Sequence, residues 1–137
     1  MDIEEYKAYT AKGGYLEAGT EAAKMMRPAA VEAQRITAAI NGAFHTPEEL
    51  RALFSELTGQ RVDETFALFP PVYTDFGKNI RVGKNVFINS GCCFQDQGGI
   101  EIGDDCLIGH QVVFATLNHD LSPTKRANMF PAPIRLG

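Results

Sequence analysis

Apolar positions along this chain keep two rhythms, and one gives way to the other near residue 60. From Pro28 to Ile40 the apolar residues Ala29, Ala33, Ile36 and Ile40 recur at spacings of four, three and four. That spacing stacks them on one face of an α-helix. Pro28 suits the first helical position and Asn41-Gly42 suits the stop. The next segment, HTPEELRALFSELTG, carries a capping box in which Thr46 caps, Pro47 pre-sets the first turn and Glu49 reaches back. Its apolar stripe is Leu50, Leu53, Phe54 and Leu57, and Gly59 ends it. The two segments predict a helical hairpin. The stretch before Pro28 predicts one or two short helices, broken near Gly13-Gly14 and Gly19. Residues 1–60 thus form an N-terminal helical element whose stripes ask for packing and for no cofactor.

After FPPVYTDFG the helical spacing disappears, and β-branched residues, glycines and asparagines take over. IRVGKNVFIN (80–89) aligns with IEIGDDCLIG (100–109): Ile80 meets Ile100, Val82 meets Ile102, Gly83 meets Gly103, Val86 meets Cys106 and Ile88 meets Ile108. Within each copy an apolar residue recurs every six positions, as Val82, Ile88 and Phe94 and again as Ile102, Ile108 and Phe114. Six is too long a period for a hairpin meander or a helical stripe. It fits a short strand with an inward central side chain, then a tight turn where Gly or Asn tolerates left-handed φ. Three such units close a triangular coil, and successive coils pair backbone with backbone. The offset of 20 between the copies is three hexapeptides plus two residues, which belong near QDQGG. The third phrase, IRLG, begins 34 residues after Ile100, so a loop at about 117–133 must leave the coil. Residues 61–137 are therefore β-helix coils with one protruding loop. The competing explanation is chance recurrence of Ile/Val-Gly pairs in a β-sandwich. Five aligned positions in ten residues weigh against it.

Composition narrows the class. Apolar residues are 45% of the 137 and charged residues 22%, enough to bury a core. A net charge of −4 with scattered lysines and arginines argues against a nucleic-acid surface. No apolar stretch approaches the roughly 20 residues of a membrane span, and the acidic MDIEEYKAYT start lacks a signal-peptide core. A cytoplasmic setting is expected. Cys92, Cys93 and Cys106 are odd in number and form no CxxC pair, which reads as reduced thiols.

The predicted loop, ATLNHDLSPTKRANMFPAP, carries His119. Long loops in compact domains tend to be lids or binding elements. A neutral imidazole can take a proton from a hydroxyl when a neighbouring carboxylate or carbonyl holds its tautomer. Asp120 is adjacent in sequence, though its side chain need not face His119. The bland alternative is a solvated loop histidine beside the LSP turn.

The stretches PPVYTDFGKNIRVGKNVFIN, IEIGDDCLIGHQVVFATLNHDLSP and PAPIRLG resemble the maltose and galactoside O-acetyltransferases of the hexapeptide-repeat acyltransferases. The resemblance covers about half the chain and keeps the order of parts. It implies a mainly β fold with a helical N-terminus, a left-handed parallel β-helix, assembled as a homotrimer with acetyl-CoA between subunits. It also implies that His119 is the general base acting on a hydroxyl of a sugar-like acceptor, and that no metal is needed. Carried across singly, Asp75, Asn89 and Asp96 fall on acceptor-binding positions, and Met129 on a loop methionine bordering the pocket. Asp96 and Gln97 compete for their position. Carboxylate and amide groups suit this work because they hydrogen-bond vicinal hydroxyls. Without the resemblance, Asn89 and Asp75 would read as turn residues and Asp96 as loop solvation. His110 reads as a corner residue, and His45 is assigned no role. The GxLY signature of the family is only faintly echoed by GGYLEAG, which leaves the acceptor open, a serine or aminoglycoside included.

A complete relative would continue past Gly137 into further coils that bind coenzyme A, so the C-terminal coils are missing and no coenzyme A contact is expected within these residues. Truncation of a longer enzyme is the preferred expectation, with no acetyl transfer by the 137 residues alone. The alternatives are a catalytically silent β-helix scaffold and a metal-dependent enzyme of the γ-carbonic-anhydrase type, which needs three imidazoles around one ion.

Overall fold

The computed structural model describes residues 1–137. Three helices come first: α1 (Ile3–Ala11), α2 (Glu21–Asn41) and α3 (Pro47–Thr58). The α3 signals act as the sequence predicts. Thr46 and Glu49 close a full capping box, and Gly59 takes left-handed φ at +71°. The start of α2 differs from expectation. Thr20, not the residue before Pro28, caps the helix through its contact with the Ala23 amide, and Pro28 lies exposed inside a continuous helix of 21 residues. Ala22 is buried a full turn and more before Pro28, so packing carries the helix through the missing proline N–H. The helix expected earlier in the chain is α1, begun by an Asp2–Glu5 capping box.

From Ala67 onward the chain winds through short strands: β1 (Ala67–Leu68), β2 (Val72–Thr74), β3 (Ile80–Val82), β4 (Phe87–Ile88), β5 (Cys92–Gln95), β6 (Ile100–Ile102), β7 (Leu107–Ile108) and β8 (Val113–Ala115). The protruding segment then folds as a hairpin, β9 (Leu117–His119) and β10 (Met129–Pro131), before β11 (Ile134–Leu136) re-enters the coil. Three parallel sheets result, β1-β4-β7, β2-β5-β8 and β3-β6-β11. They are the three sides of a parallel β-helix. Ile80, Ile100 and Ile134 stand in one register, so the three recurring phrases are successive rungs of one sheet.

The six-residue series falls inside. Ile88, Phe94, Ile102, Ile108 and Phe114 are buried, and Val82 packs against the same core from its edge. Phe94 and Phe114 stack with ring centroids 4.8 Å apart and planes 11° off parallel. Corner positions need left-handed backbone, taken by Asn85, Asp105 and Gln111. Asn85 also donates its side-chain N–H to Asp105 Oδ1 at 2.9 Å, which ties one corner to the next, 20 residues on. The lower end of the β-helix is closed by α2 against β2 and α3 against β1, and Ile36, Ile40, Phe54 and Leu57 share one core with the coil interior. Cys92 is buried, Cys93 and Cys106 are half-buried, and all three are free thiols. No helix is long and apolar enough to cross a membrane.

Candidate active site

The corner joining the β2-β5-β8 side to the β3-β6-β11 side gathers most of the candidate residues. Asp75 begins the lowest turn there, Asp96 and Gln97 occupy the next, and above them the chain leaves as the β9–β10 hairpin that bears His119.

His119 ends β9 directly across from Met129, its cross-strand partner. The imidazole is exposed, and its Nδ1 lies 2.6 Å from the Arg126 carbonyl oxygen in the hairpin tip. Asp120 points elsewhere: its carboxylate accepts from the Tyr15 hydroxyl at 2.6 Å and from the Ser122 amide at 3.0 Å. The tautomer of His119 is therefore held by a carbonyl, not by the adjacent carboxylate. The hairpin is rooted in a small apolar cluster of Tyr6, Leu16, Ala22, Phe76 and Leu117, with Met129 packed on it. Leu117 lies two residues before His119 and Phe76 one after Asp75, so this cluster couples the histidine arm to the Asp75 turn.

Asp96 and Gln97 are adjacent yet differ sharply. Asp96 is fully buried, and its carboxylate accepts from the Phe76 amide at 2.9 Å and the Asn79 amide at 3.1 Å. It is spent on shaping the turn that presents Asp75. Burial pushes its carboxyl up to about 6, and the backbone N–H groups of Gly77, Phe76 and Asn79 pull the other way. The Tyr6 hydroxyl is buried without a partner, and burial, then the Asp96 charge, raise it too. Gln97 is also buried, but its Oε1 has no hydrogen-bond partner, and the same holds for Thr74 Oγ1. Thr74, Asp75 and Gln97 line one cavity of about 460 Å³ against Arg27 and Gln34 of α2. Buried acceptors left unpaired are costly unless something fills them. Sequence reasoning did not reach Thr74, whose alternating inward position marks it as core.

Asn89 lies apart, at the corner between the β1-β4-β7 and β2-β5-β8 sides. Its Oδ1 accepts from the Ser90 amide at 2.8 Å and its backbone N–H donates to Ile108. Within one chain it does not join Asp75, Gln97 and His119. His110 is exposed at a corner, and His45 bridges the Ala39 carbonyl and Glu49 between α2 and α3. No three His, Cys, Asp or Glu side chains converge in a metal-binding group.

Comparison with known proteins bears on the fold and its relatives. The chain is 32% identical over 92 residues to the galactoside O-acetyltransferase of Escherichia coli (strain K12), covering 66% of this chain and 45% of that protein. Its identity to the sophorolipid acetyltransferase of Starmerella bombicola is 36% over 87 residues, or 62% of this chain and 33% of that protein. The crystal structure of a hexapeptide-repeat containing acetyltransferase from Vibrio cholerae superimposes with a TM-score of 0.78 at 29% identity, covering 94% of this chain and 70% of that one. The chain is a homologue of acetyltransferases and has the hexapeptide-repeat fold. The left-handed β-helix predicted from the resemblance is thus the fold observed. The Vibrio cholerae hexapeptide-repeat protein has also been solved in complex with acetyl coenzyme A, and that structure matches with a TM-score of 0.72 at 27% identity. No family model matches the chain. The chain spans between a third and a half of the length of these two curated relatives.

Proposed function

We propose that the protein is an acetyl-CoA-dependent O-acetyltransferase acting on a hydroxyl of a sugar or similar small acceptor, with His119 as general base. The hydrogen bond between His119 and the Arg126 carbonyl carries this. A carbonyl oxygen only accepts, so Nδ1 holds the single ring proton of the neutral imidazole, and Nε2, which has no protein partner, presents its lone pair. That is the tautomer a base requires. Nε2 takes the hydroxyl proton and frees the oxygen to bond to an acyl carbon. Acetyl-CoA, when bound, would supply that carbon as a thioester whose C–S bond breaks as the C–O bond forms, and the proton held on Nε2 would go to the departing thiolate. Residues 1–137 contribute the base and the acceptor-facing groups.

The unpaired Thr74 Oγ1 and Gln97 Oε1 beside Asp75 favour an acceptor rich in hydroxyls, because each can accept a hydrogen bond from an O–H. The acceptor-facing role at the second turn goes to Gln97, since the Asp96 carboxylate is already taken. Met129, opposite His119, would border the acceptor.

Asn89 would join the same site only if a second copy brought its corner to the histidine arm, as the expected homotrimer would allow. Outward positions agree. On the two sides flanking the Asn89 corner these outward registers are apolar, half-buried Phe87 with exposed Leu107, and half-buried Cys93 between exposed Tyr73 and Val113. The third side shows Arg81, Glu101 and Arg135, with Arg135 3.2 Å from Glu101. Apolar sides suit burial between subunits and the charged side suits water. Three free cysteines fit the reducing cytoplasm.

The test is an acceptor screen: full-length protein, acetyl-CoA and a panel of sugars and other hydroxyl compounds, followed by thiol release. Release that depends on a hydroxyl acceptor supports the proposal. Absence of release with every hydroxyl acceptor, from a folded protein, would overturn it.

A further inference from the structure

The GGYLEAG segment, which sequence reasoning left without a role, bridges the outer edge of the histidine arm at Leu16. Leu16 and Met129 exchange backbone hydrogen bonds at 2.8 and 3.0 Å in an antiparallel bridge. The Ala18 amide donates to Asn128 Oδ1 at 2.9 Å, and the Tyr15 ring packs on Phe130 with centroids 4.7 Å apart. The Tyr15 hydroxyl donates to Asp120, the residue after His119. Its own carbonyl accepts from the Tyr9 hydroxyl at 2.6 Å, which fixes the segment to α1. Gly14 permits the approach, since a Cβ there would fall 2.5 Å from the Tyr9 ring.

The hairpin needs such help. β9 and β10 pair over three residues each, and a two-stranded hairpin alone is marginal in water. Its base is held to the coil by Leu117, whose amide donates to Gln95 Oε1, and by Ala132, whose amide donates to the Thr116 carbonyl. The His119 end is reached by the GGYLEAG segment, through Leu16 on Met129, Ala18 on Asn128 and Tyr15 on Asp120, and only Tyr15 among these bonds to the side of the hairpin that bears His119. The Tyr15 hydroxyl is the largest influence holding the Asp120 carboxyl below its usual range.

We propose that Tyr15 and Asp120 are positioning residues which, through the arm they clamp, set where the His119 imidazole stands over the acceptor. This rests on His119 being the base. Neither residue exchanges a proton with substrate. Their effect is on the fraction of encounters in which Nε2 meets the hydroxyl, so it enters kcat and not the affinity for acetyl-CoA.

The experiment uses the full-length protein and measures kcat, the KM for acetyl-CoA and folding by circular dichroism at assay temperature. In Tyr15→Phe the loss of the hydroxyl should lower kcat on the order of 10- to 100-fold with the KM for acetyl-CoA within about twofold. Asp120→Ala should match it, and Tyr15→Phe with Asp120→Ala should fall no further than either alone. Asp120→Asn should retain most of the rate, because its amide N–H can donate to the Tyr15 oxygen while its carbonyl serves Ser122. A wild-type kcat in Tyr15→Phe, multiplying losses in the double variant, or equal loss in Asp120→Asn would each overturn the clamp. Full activity in His119→Ala would instead remove the base assignment beneath it, and the two failures are read from different variants.

Discussion

The side-chain amide of Asn41 donates to the Val72 carbonyl and accepts from the Val72 amide, both at 2.9 Å. Asn41 ends α2, and Val72 opens β2 on the lowest rung, where no coil lies beneath. One asparagine thus imitates the missing strand and satisfies two backbone groups of a fully buried residue. Asn41→Ala strands both. The expected loss is about 2–4 kcal/mol of unfolding free energy, measured by urea denaturation. Asn41→Asp, which keeps only the acceptor, should fall between.

Asp96 predicts a pH dependence. Its folded-state value of about 6 lies above the ordinary carboxylate value, so the native state binds this proton more tightly than the unfolded chain. The contribution to stability is therefore complete below about pH 4 and is lost as pH rises through about 6. Denaturation midpoints of the native protein and Asp96→Asn, compared from pH 4.5 to 7.5, should show a term falling across this window in the native protein only. Parallel profiles would contradict it.

Gln97 and Asp96 separate a binding role from a folding one. Gln97→Leu removes a buried, unpartnered acceptor, so the fold should hold while the KM for a polyol acceptor rises about tenfold or more. Steady-state kinetics on the full-length protein, varying the acceptor at saturating acetyl-CoA, measures it. An unchanged KM would mean that Gln97 does not face the acceptor.

The β-helix was legible because its period survives in side-chain type: the inward positions from Ile88 to Phe114 are aliphatic or aromatic apart from Cys92 and Cys106, and Asn85 and Asp105 mark left-handed corners. The α3 boundaries were legible for the same local reason, a complete capping box and a glycine stop. The start of α2 was not. Pro28 is a strong local signal, and it is overridden by burial of Ala22 and a cap at Thr20 that sequence spacing alone does not rank higher. In the candidate site, residue types were legible but not directions. Asp96 and Gln97 look interchangeable in QDQGG, and only the fold shows one carboxylate consumed by backbone N–H groups and the other side chain left open. Nothing in GGYLEAG announces pairing with Met129, a contact more than a hundred residues away in sequence.

Lys78 supplies what α3 lacks. The last turn of α3 holds no basic residue, and Lys78 Nζ donates to the Glu56 and Leu57 carbonyls at 2.6 and 2.7 Å. It meets the unpaired carbonyls and negative end of the helix from outside. Lys78→Met, which keeps the apolar stem, should cost about 1–3 kcal/mol by urea denaturation. No loss would mean that water replaces the ammonium at no cost.

The most direct measurement is the acetyl-transfer rate of the full-length protein with His119→Ala, at saturating acetyl-CoA and acceptor. With Nε2 gone and the arm still paired through Met129, kcat should fall at least about 10²-fold while the circular dichroism spectrum stays unchanged. A folded variant that transfers acetyl at the native rate would contradict the account.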